Sequence, residues 1–377
     1  MSERKSLNFG LLKLGVVGLD PRNQNWLTKI RAVVLSSILS LNYVLLVIEF
    51  FAKLTEIDAL ADTGEMLVSC HQCFTKMLTI LITRPKIERL LEKLARFKDF
   101  ATLDDELRED VTSTERRIHF VLKVYYHNAR ISAITMVFKP LIMKSRIFPI
   151  QVYNFIDLFQ TPYYQIVYGF ETLSIFYLFY IIIGFDITFF SIVTYIYNEL
   201  KIIKYQFQHL KITESDLENG FKRLSEIIAH HDYVLSFISD LNTICSLLFL
   251  NQFLSAMMGI CMSIFTIISH GLPMSIPFAV QHIVFIIGIN LQLFLSCFAG
   301  ALITSQALTV GNSIFYAPFW LDAPIWVKKK IIMVIQRSQK YETITVGKIY
   351  NIDLELYTIV LKASLSFLNA VIAFKQQ

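Results

Sequence analysis

Charge is scarce in this chain. Asp, Glu, Lys and Arg make up 17% of its 377 residues against 54% hydrophobic ones, among them 31 Phe and 17 Tyr. That balance excludes an ordinary soluble domain, because too few polar side chains remain to cover a water-facing surface. Catalytic signatures are missing as well. No Gly-rich phosphate loop, no His-Glu-x-x-His helix and no Gly-x-Ser-x-Gly elbow occurs, so the sequence does not read as an enzyme and implies no cofactor and no metal. There is no Asn-x-Ser/Thr acceptor, which fits a chain with little exposed on the outer side of a membrane. A cleavable leader is not visible either: LLKLGVVGL, residues 11–19, is short and broken by Lys13, so the first membrane helix itself is expected to act as the targeting signal.

Cysteine is sparse too. Cys70, Cys73, Cys245, Cys261 and Cys297 all fall inside apolar segments, which argues against a secreted disulfide framework. Cys70 and Cys73 have the spacing of half a zinc or redox site, but no second pair follows, and small polarisable residues on a membrane helix are the simpler reading. The adjacent His230 and His231 point in different directions on a helix and are expected as a solvated pair rather than metal ligands. The net charge of +5 is spread over loops, which is no nucleic-acid footprint.

What the sequence does have is long hydrophobic runs. Seven lie near 32–52, 64–83, 120–141, 163–198, 241–269, 277–303 and 354–374. About twenty apolar residues span roughly 30 Å of hydrocarbon as a helix. Lys123, His127 and Arg130 interrupt the third run, and the fourth is long enough to continue out of the bilayer. Pro140, Pro149, Pro162, Pro273 and Pro277 fall in two inferred outer loops, where helices break. Twenty-six Lys and Arg residues sit in 1–31, 84–117, 199–240 and 304–350, against five in 52–62, 139–165, 269–277 and the last residues. The positive-inside rule then places the N-terminus in the cytoplasm and, after seven crossings, the C-terminus outside, opposite to the G-protein-coupled receptor arrangement.

The expected fold class is an all-α membrane protein: seven transmembrane helices plus helical cytoplasmic extensions that form an anchor layer. IERLLEKLARF (87–97) gathers Leu90, Leu91, Leu94 and Phe97 on one face; residues 215–240 open with Ser215 and Glu218 as a cap; 322–340 begin with Asp322 and Pro324. The expected organisation is a cytoplasmic N-terminal segment (1–31), a six-helix membrane region with its loops (32–303), a cytoplasmic anchor segment (304–350) and the last helix (351–377).

Among the charges inside the membrane runs the candidates for a role are Glu65, Lys76, Arg130, Glu171, Asp186 and Lys362. Each is costly there unless it faces protein or water. Asp186, in IIIGFDITFF, needs a buried partner, and Lys123 or Arg130 on the third run is the expected one. The last run, LELYTIVLKASLSFLNAVIAFKQQ, carries its polarity as a stripe. At 100° per residue Thr358, Lys362, Ser366, Asn369, Ala373 and Gln376 fall within about 80°, while Leu356, Val360, Phe367, Val371 and Phe374 gather opposite. Such a stripe suits either a close helix–helix seam or the wall of a water-filled pore built from several copies.

NSIFYAPFW (312–320), IQRSQKYETITVG (335–347) and LELYTIVLKASLSF (354–367) together resemble the C-terminal signature of insect odorant receptors. PYYQIVYGFE (162–171), Asp186, IKYQFQHL (203–210) and LNTICSLLFLNQFL (241–254) are similar to the same family in order and spacing. The resemblance implies an odour-tuning subunit of a tetrameric ligand-gated, non-selective cation channel. It would assemble as a heterotetramer with a co-receptor subunit, sit in the plasma membrane of a sensory neuron dendrite among membrane lipid, and pass cations. No nucleic acid is implied.

The pore would be lined by the seventh helix, here by Thr358, Lys362, Ser366, Asn369, Ala370, Ala373 and Gln376. A small volatile odorant would bind in the outer half of the membrane. Leu67, Cys70, His71, Phe74, Ile134, Val137, Phe138, Tyr168, Glu171, Ile175, Phe265, Phe278, His282 and Phe285 are the expected contacts, with His71 and His282 as polar anchors. Tyr341 departs from the family's usual Pro, and Ala373 stands where the co-receptor has a polar side chain. Lys362 lies about 14 Å along the helix from Asp353 at ~1.5 Å per residue; four such lysines would repel cations, which favours mixed assembly. A gustatory receptor channel is the alternative, and a metabotropic receptor is disfavoured by topology.

Overall fold

The apolar runs fold as helices longer than the membrane requires, because amphipathic segments at their ends continue the same helical spacing. The computed structural model describes residues 5–375 except 24, 54–56, 98–102, 143–145, 151–152, 154–157, 213–216, 271–275, 321–322 and 341. In order these form α1 (Lys5–Val16), α2 (Trp26–Ala52), α3 (Ile57–Ala95), α4 (Asp105–Ile142), α5 (Tyr163–Gln208), α6 (Leu217–His270), α7 (Ile276–Tyr316), a 3-10 turn (Pro318–Trp320), α8 (Ile325–Gln339), a β1–β2 hairpin (Thr345–Val346 with Tyr350–Asn351) and α9 (Leu354–Lys375). Segments read separately have merged: α3 joins 64–83 to 87–95 through Pro85, and α6 joins 217–240 to 241–269. Ser215, Asp322, Pro273 and Tyr341 lie outside the described residues.

Among the described residues, α2, α3, α5, α6, α7 and α9 are long and apolar enough to cross a membrane. α4 runs beside α5 and α7 over a comparable length, with Lys123, His127 and Arg130 in its middle. It completes the seven-helix membrane bundle. α5 is the axis of that bundle: from Ile183 to Ile196 every residue is buried, and α1, α2, α3, α4, α6 and α7 all pack against it. A helix apolar all round is stable only when surrounded on every side. Pro162 immediately precedes α5 and Pro277 falls in the first turn of α7, positions where a missing N–H costs nothing. Pro140, expected in a loop, is instead inside the last turn of α4.

α1 was not legible as a helix from hydropathy. Leu7, Leu11 and Leu14 recur at helical spacing and bury one face on α5, where Gly10 and Gly184 permit close approach. At the same end of the bundle the helix extensions form a layer held by polar pairs. Lys93 meets Asp240 at 2.5 Å, Lys201 meets Asp110 at 2.5 Å, and Tyr195 donates to Glu115 at 3.0 Å.

The His230–His231 pair is not solvated as expected. His230 Nε2 meets buried Glu199 at 2.8 Å, while His231 is 2% exposed against α8, beside Arg337. The two do point apart, but both directions are filled by protein. Burial, then the Arg337 guanidinium, then His230, push the His231 imidazole down to about 4, with Asp232 opposing. The folded state therefore favours neutral His231. Its contribution is complete above the unfolded value of about 6.5 and is lost as pH falls from there toward 4, at about 1.4 kcal/mol per unit. We expect the melting temperature of the detergent-solubilised protein to fall across that window, and the fall to shrink in His231→Gln.

Candidate ligand cavity and polar helix face

Aliphatic and aromatic side chains from four helices leave one ring-sized void. The cavity, about 130 Å³, lies between α3, α4, α5 and α7. Met66, Val68 and Cys70 contribute from α3; Ala129, Ala133 and Met136 from α4; Ile175, Leu178, Phe179, Ile182 and Ile183 from α5; Val284, Phe285 and Ile289 from α7. Ile150, from the α4–α5 connection, also lines it. That connection is clamped. Ile150 N donates to the buried Glu171 carboxylate at 3.1 Å, the Tyr164 hydroxyl donates to the Ile147 carbonyl at 3.1 Å, and the Phe148 ring stacks on Tyr164.

Beneath the apolar walls lies a polar floor. Asp186 on α5 receives hydrogen bonds from Lys76 of α3 at 2.5 Å, from the Tyr125 hydroxyl of α4 at 2.8 Å and from Gln292 of α7 at 2.5 Å. Gln72 donates to Gln292 Oε1 at 2.9 Å. Lys76 is fully buried and Asp186 nearly so. The expected partners, Lys123 and Arg130, are a correction: both are exposed. The reason is angular. Tyr125 points at Asp186, and Lys123 stands about 200° away from it on the same helix.

Of the fourteen residues expected to meet a ligand, Cys70, Ile175 and Phe285 line the cavity. The others are placed elsewhere. His71 hydrogen-bonds Tyr43 of α2 at 2.9 Å and Phe74 stacks on the same ring. Leu67 is half-buried against the core. Ile134 and Phe138 are exposed on α4. Val137 is buried and its carbonyl accepts the Tyr168 hydroxyl at 2.7 Å. Glu171 clamps Ile150 as described.

His282 stands 2.8 Å from Glu65 and 3.4 Å from Ser263, with the Phe278 ring against it at 4.4 Å. Phe265 belongs to a cluster in which Cys261 and Met262 of α6 pack on Leu368 of α9. Sequence reading missed Gln72, Tyr125, Asn128, Ser132, Gly288 and Gln292, all at the cavity. The spacing of Tyr125, Asn128 and Ser132, and of Gly288 and Gln292, puts each set on one helical face, and that polar periodicity was the available signal.

α9 shows which way its stripe faces. Leu356, Val360, Ser364 and Leu368 are buried against α6 and α7, a row four residues apart. Thr358, Lys362, Ser366, Asn369, Ala370 and Ala373 are exposed; Gln376 lies outside the described residues. Phe367, expected on the packed side, is 37% exposed, because the i, i+4 row drifts around the helix.

The sequence profile of the 7tm odorant receptors matches residues 56–365. Odorant receptor 45a of Drosophila melanogaster is 22% identical over 376 residues, spanning 96% of this chain and 97% of that protein. Odorant receptor Or2 of Anopheles gambiae is 23% identical over 330 residues, covering 85% and 86%. The structure of the insect olfactory receptor OR5 from Machilis hrabei in complex with eugenol matches with a TM-score of 0.88 at 15% identity, over 99% of each chain.

Proposed function

This chain belongs to the insect odorant receptor family, the 7tm odorant receptors, and from that premise we propose that it is the odorant-binding subunit of a ligand-gated, non-selective cation channel. A small volatile molecule occupies the cavity between α3, α4, α5 and α7, and its binding opens a central pore lined by α9. The N-terminus is cytoplasmic, so the cavity lies in the outer half of a plasma membrane and the helix extensions form the cytoplasmic anchor layer. Residues 32–303 are the ligand-binding region, 304–350 the anchor segment and 351–377 the pore helix.

The observation that carries this reading is α9. The row Leu356, Val360, Ser364 and Leu368 is packed, while Thr358, Lys362, Ser366, Asn369, Ala370 and Ala373 stand exposed on the single chain. One helix cannot enclose a pore, so that face is completed by other subunits around a shared axis. α7 is the mechanical link between cavity and pore. It supplies Phe285, Gly288, Ile289 and Gln292 to the cavity, and Phe294, half a turn past Gln292, packs edge-on against Tyr357 of α9 at 5.7 Å.

Expressed with an odorant co-receptor subunit, the chain is expected to give odorant-evoked cation current. Second-messenger signals without such current would overturn the channel reading. Lys362 sets a smaller expectation. A unit charge about 10 Å from a permeant ion in water contributes about 0.4 kcal/mol, roughly a factor of two in local cation concentration. Lys362→Gln should therefore raise single-channel cation conductance by up to about twofold, and Lys362→Glu further, with agonist ranking unchanged.

A further inference from the structure

The cavity contains one amide whose donor has no protein partner, and its position selects a class of ligand. The Asn128 Nδ2 atom is buried and makes no hydrogen bond among the described residues. Four other polar side chains on the walls are committed. Gln72 bonds Gln292, Gln292 and Tyr125 bond Asp186, and the Ser69 hydroxyl bonds the Glu65 carbonyl at 3.1 Å. Asn128 packs directly on Gly288. A Cβ placed on Gly288, across the cavity wall on α7, would stand 2.9 Å from Asn128 Nδ2, inside contact distance, so glycine there is what lets the amide take this position. Both residues line the cavity.

We infer that the ligands preferred by this site are neutral, about the size of a single ring, and carry one hydrogen-bond-accepting oxygen, a ketone, aldehyde, ester or ether, which accepts from Asn128 Nδ2. This rests on the cavity being the odorant site. Size follows from volume: an apolar cavity of about 150 Å³ admits benzene, and this one measures about 130 Å³. Neutrality follows from charge. Asp186 is satisfied by Lys76, Tyr125 and Gln292, so the floor offers no free counter-charge to an ammonium or a carboxylate, and either would be stripped of water without compensation. The acceptor follows from Asn128. A buried amide N–H without a partner carries a desolvation penalty that an oxygen lone pair relieves and a hydrocarbon does not.

The test uses acetophenone and its hydrocarbon isostere α-methylstyrene, with benzoate and 1-phenylethylamine as charged probes, on the receptor co-expressed with its co-receptor. Acetophenone is expected to activate about tenfold more potently than α-methylstyrene, and the charged probes to be at least tenfold weaker than acetophenone. Asn128→Ala should erase the ketone advantage and leave α-methylstyrene within about twofold. Asn128→Ser, which keeps a hydroxyl donor, should retain part of it, and Gly288→Ala should weaken acetophenone by pushing the Asn128 amide out of position. Equal shifts for both neutral probes in Asn128→Ala, or an unshifted ketone in both Asn128→Ala and Gly288→Ala, would overturn the assignment. Ile289→Trp, which fills the cavity, separates this failure from failure of the site itself. If responses to both neutral probes survive it at normal surface expression, odorants bind elsewhere.

Discussion

Asp186→Asn is expected to remove most correctly folded receptor, and odorant-evoked current with it. The substitution keeps an acceptor for Tyr125 but leaves Lys76 as a fully buried ammonium with no counter-charge. Removing one partner of a buried ion pair costs about 3–5 kcal/mol, because the surviving charge is stranded away from water. Folded proteins have a total stability of only about 5–15 kcal/mol. The loss should be larger than for a generic core substitution, since Asp186 ties α3, α4, α5 and α7 together at one point.

The matching double substitution separates charge from shape. Lys76→Met with Asp186→Leu removes both charges, leaving only the Tyr125 and Gln292 groups to find other partners. It should recover much of the melting temperature that Asp186→Asn loses. Fluorescence-detected size exclusion of the detergent-solubilised protein over a temperature ramp reads both variants. A melting temperature within about 2 °C of wild type for Asp186→Asn would show that the pair does not hold the bundle. If the double variant folds but no longer responds to odorants, the network also has a part in transmitting ligand binding.

The helices were legible because their signal is redundant: twenty apolar residues tolerate several polar interruptions and still read as a span. Even Lys123, His127 and Arg130 did not hide α4. The exposed face of α9 was legible for the same reason, being marked by Thr358, Lys362, Ser366, Asn369 and Ala373 rather than by one residue. Asp186 shows where that redundancy ends. Sequence identified a buried carboxylate that needed a cation, but choosing among Lys76, Lys123 and Arg130 required knowing the rotation of α3 and α4.

The cavity was less legible still. His71 and Gln72 are neighbours in sequence, yet one turns to Tyr43 of α2 and the other to Gln292 at the cavity floor. An aromatic or histidine in an apolar run announces burial without announcing its direction. Ile134 and Phe138 illustrate the cost, since the same four-residue spacing describes an outward face as well as an inward one. α1 escaped for a different reason. Its twelve residues are too few for a hydropathy window, and its helix is stable only because α5 offers a glycine-lined face to pack on.

Gly300→Ala should uncouple ligand binding from current. A Cβ on Gly300 of α7 would lie 2.1 Å from the carbonyl oxygen of Ile352, well inside contact distance, and the atom in the way is backbone. Ile352 has little room to give. It is fully buried, its N–H donates to the Ile344 carbonyl at 2.9 Å, and it directly precedes the Asp353 cap that accepts from Leu356 N at 2.8 Å at the start of α9. The hairpin leading into it is pinned to α6: Thr345 N and Oγ1 both donate to Asn242 at 2.9 Å, and Gly347 N donates to the Ser246 carbonyl at 2.9 Å. Relief must therefore come from moving the first turn of α9 away from α7, the contact through which Phe294 meets Tyr357. Overpacking of this kind costs about 1–3 kcal/mol, enough to displace the helix end without unfolding the bundle. Current evoked by a saturating odorant should fall at least tenfold at equal surface expression. The thermal stabilisation that the same odorant gives the purified protein should persist, because the cavity lies two turns or more from Gly300 along α7. Wild-type current from Gly300→Ala would mean that the start of α9 moves freely and that its register against α7 does not set the state of the pore.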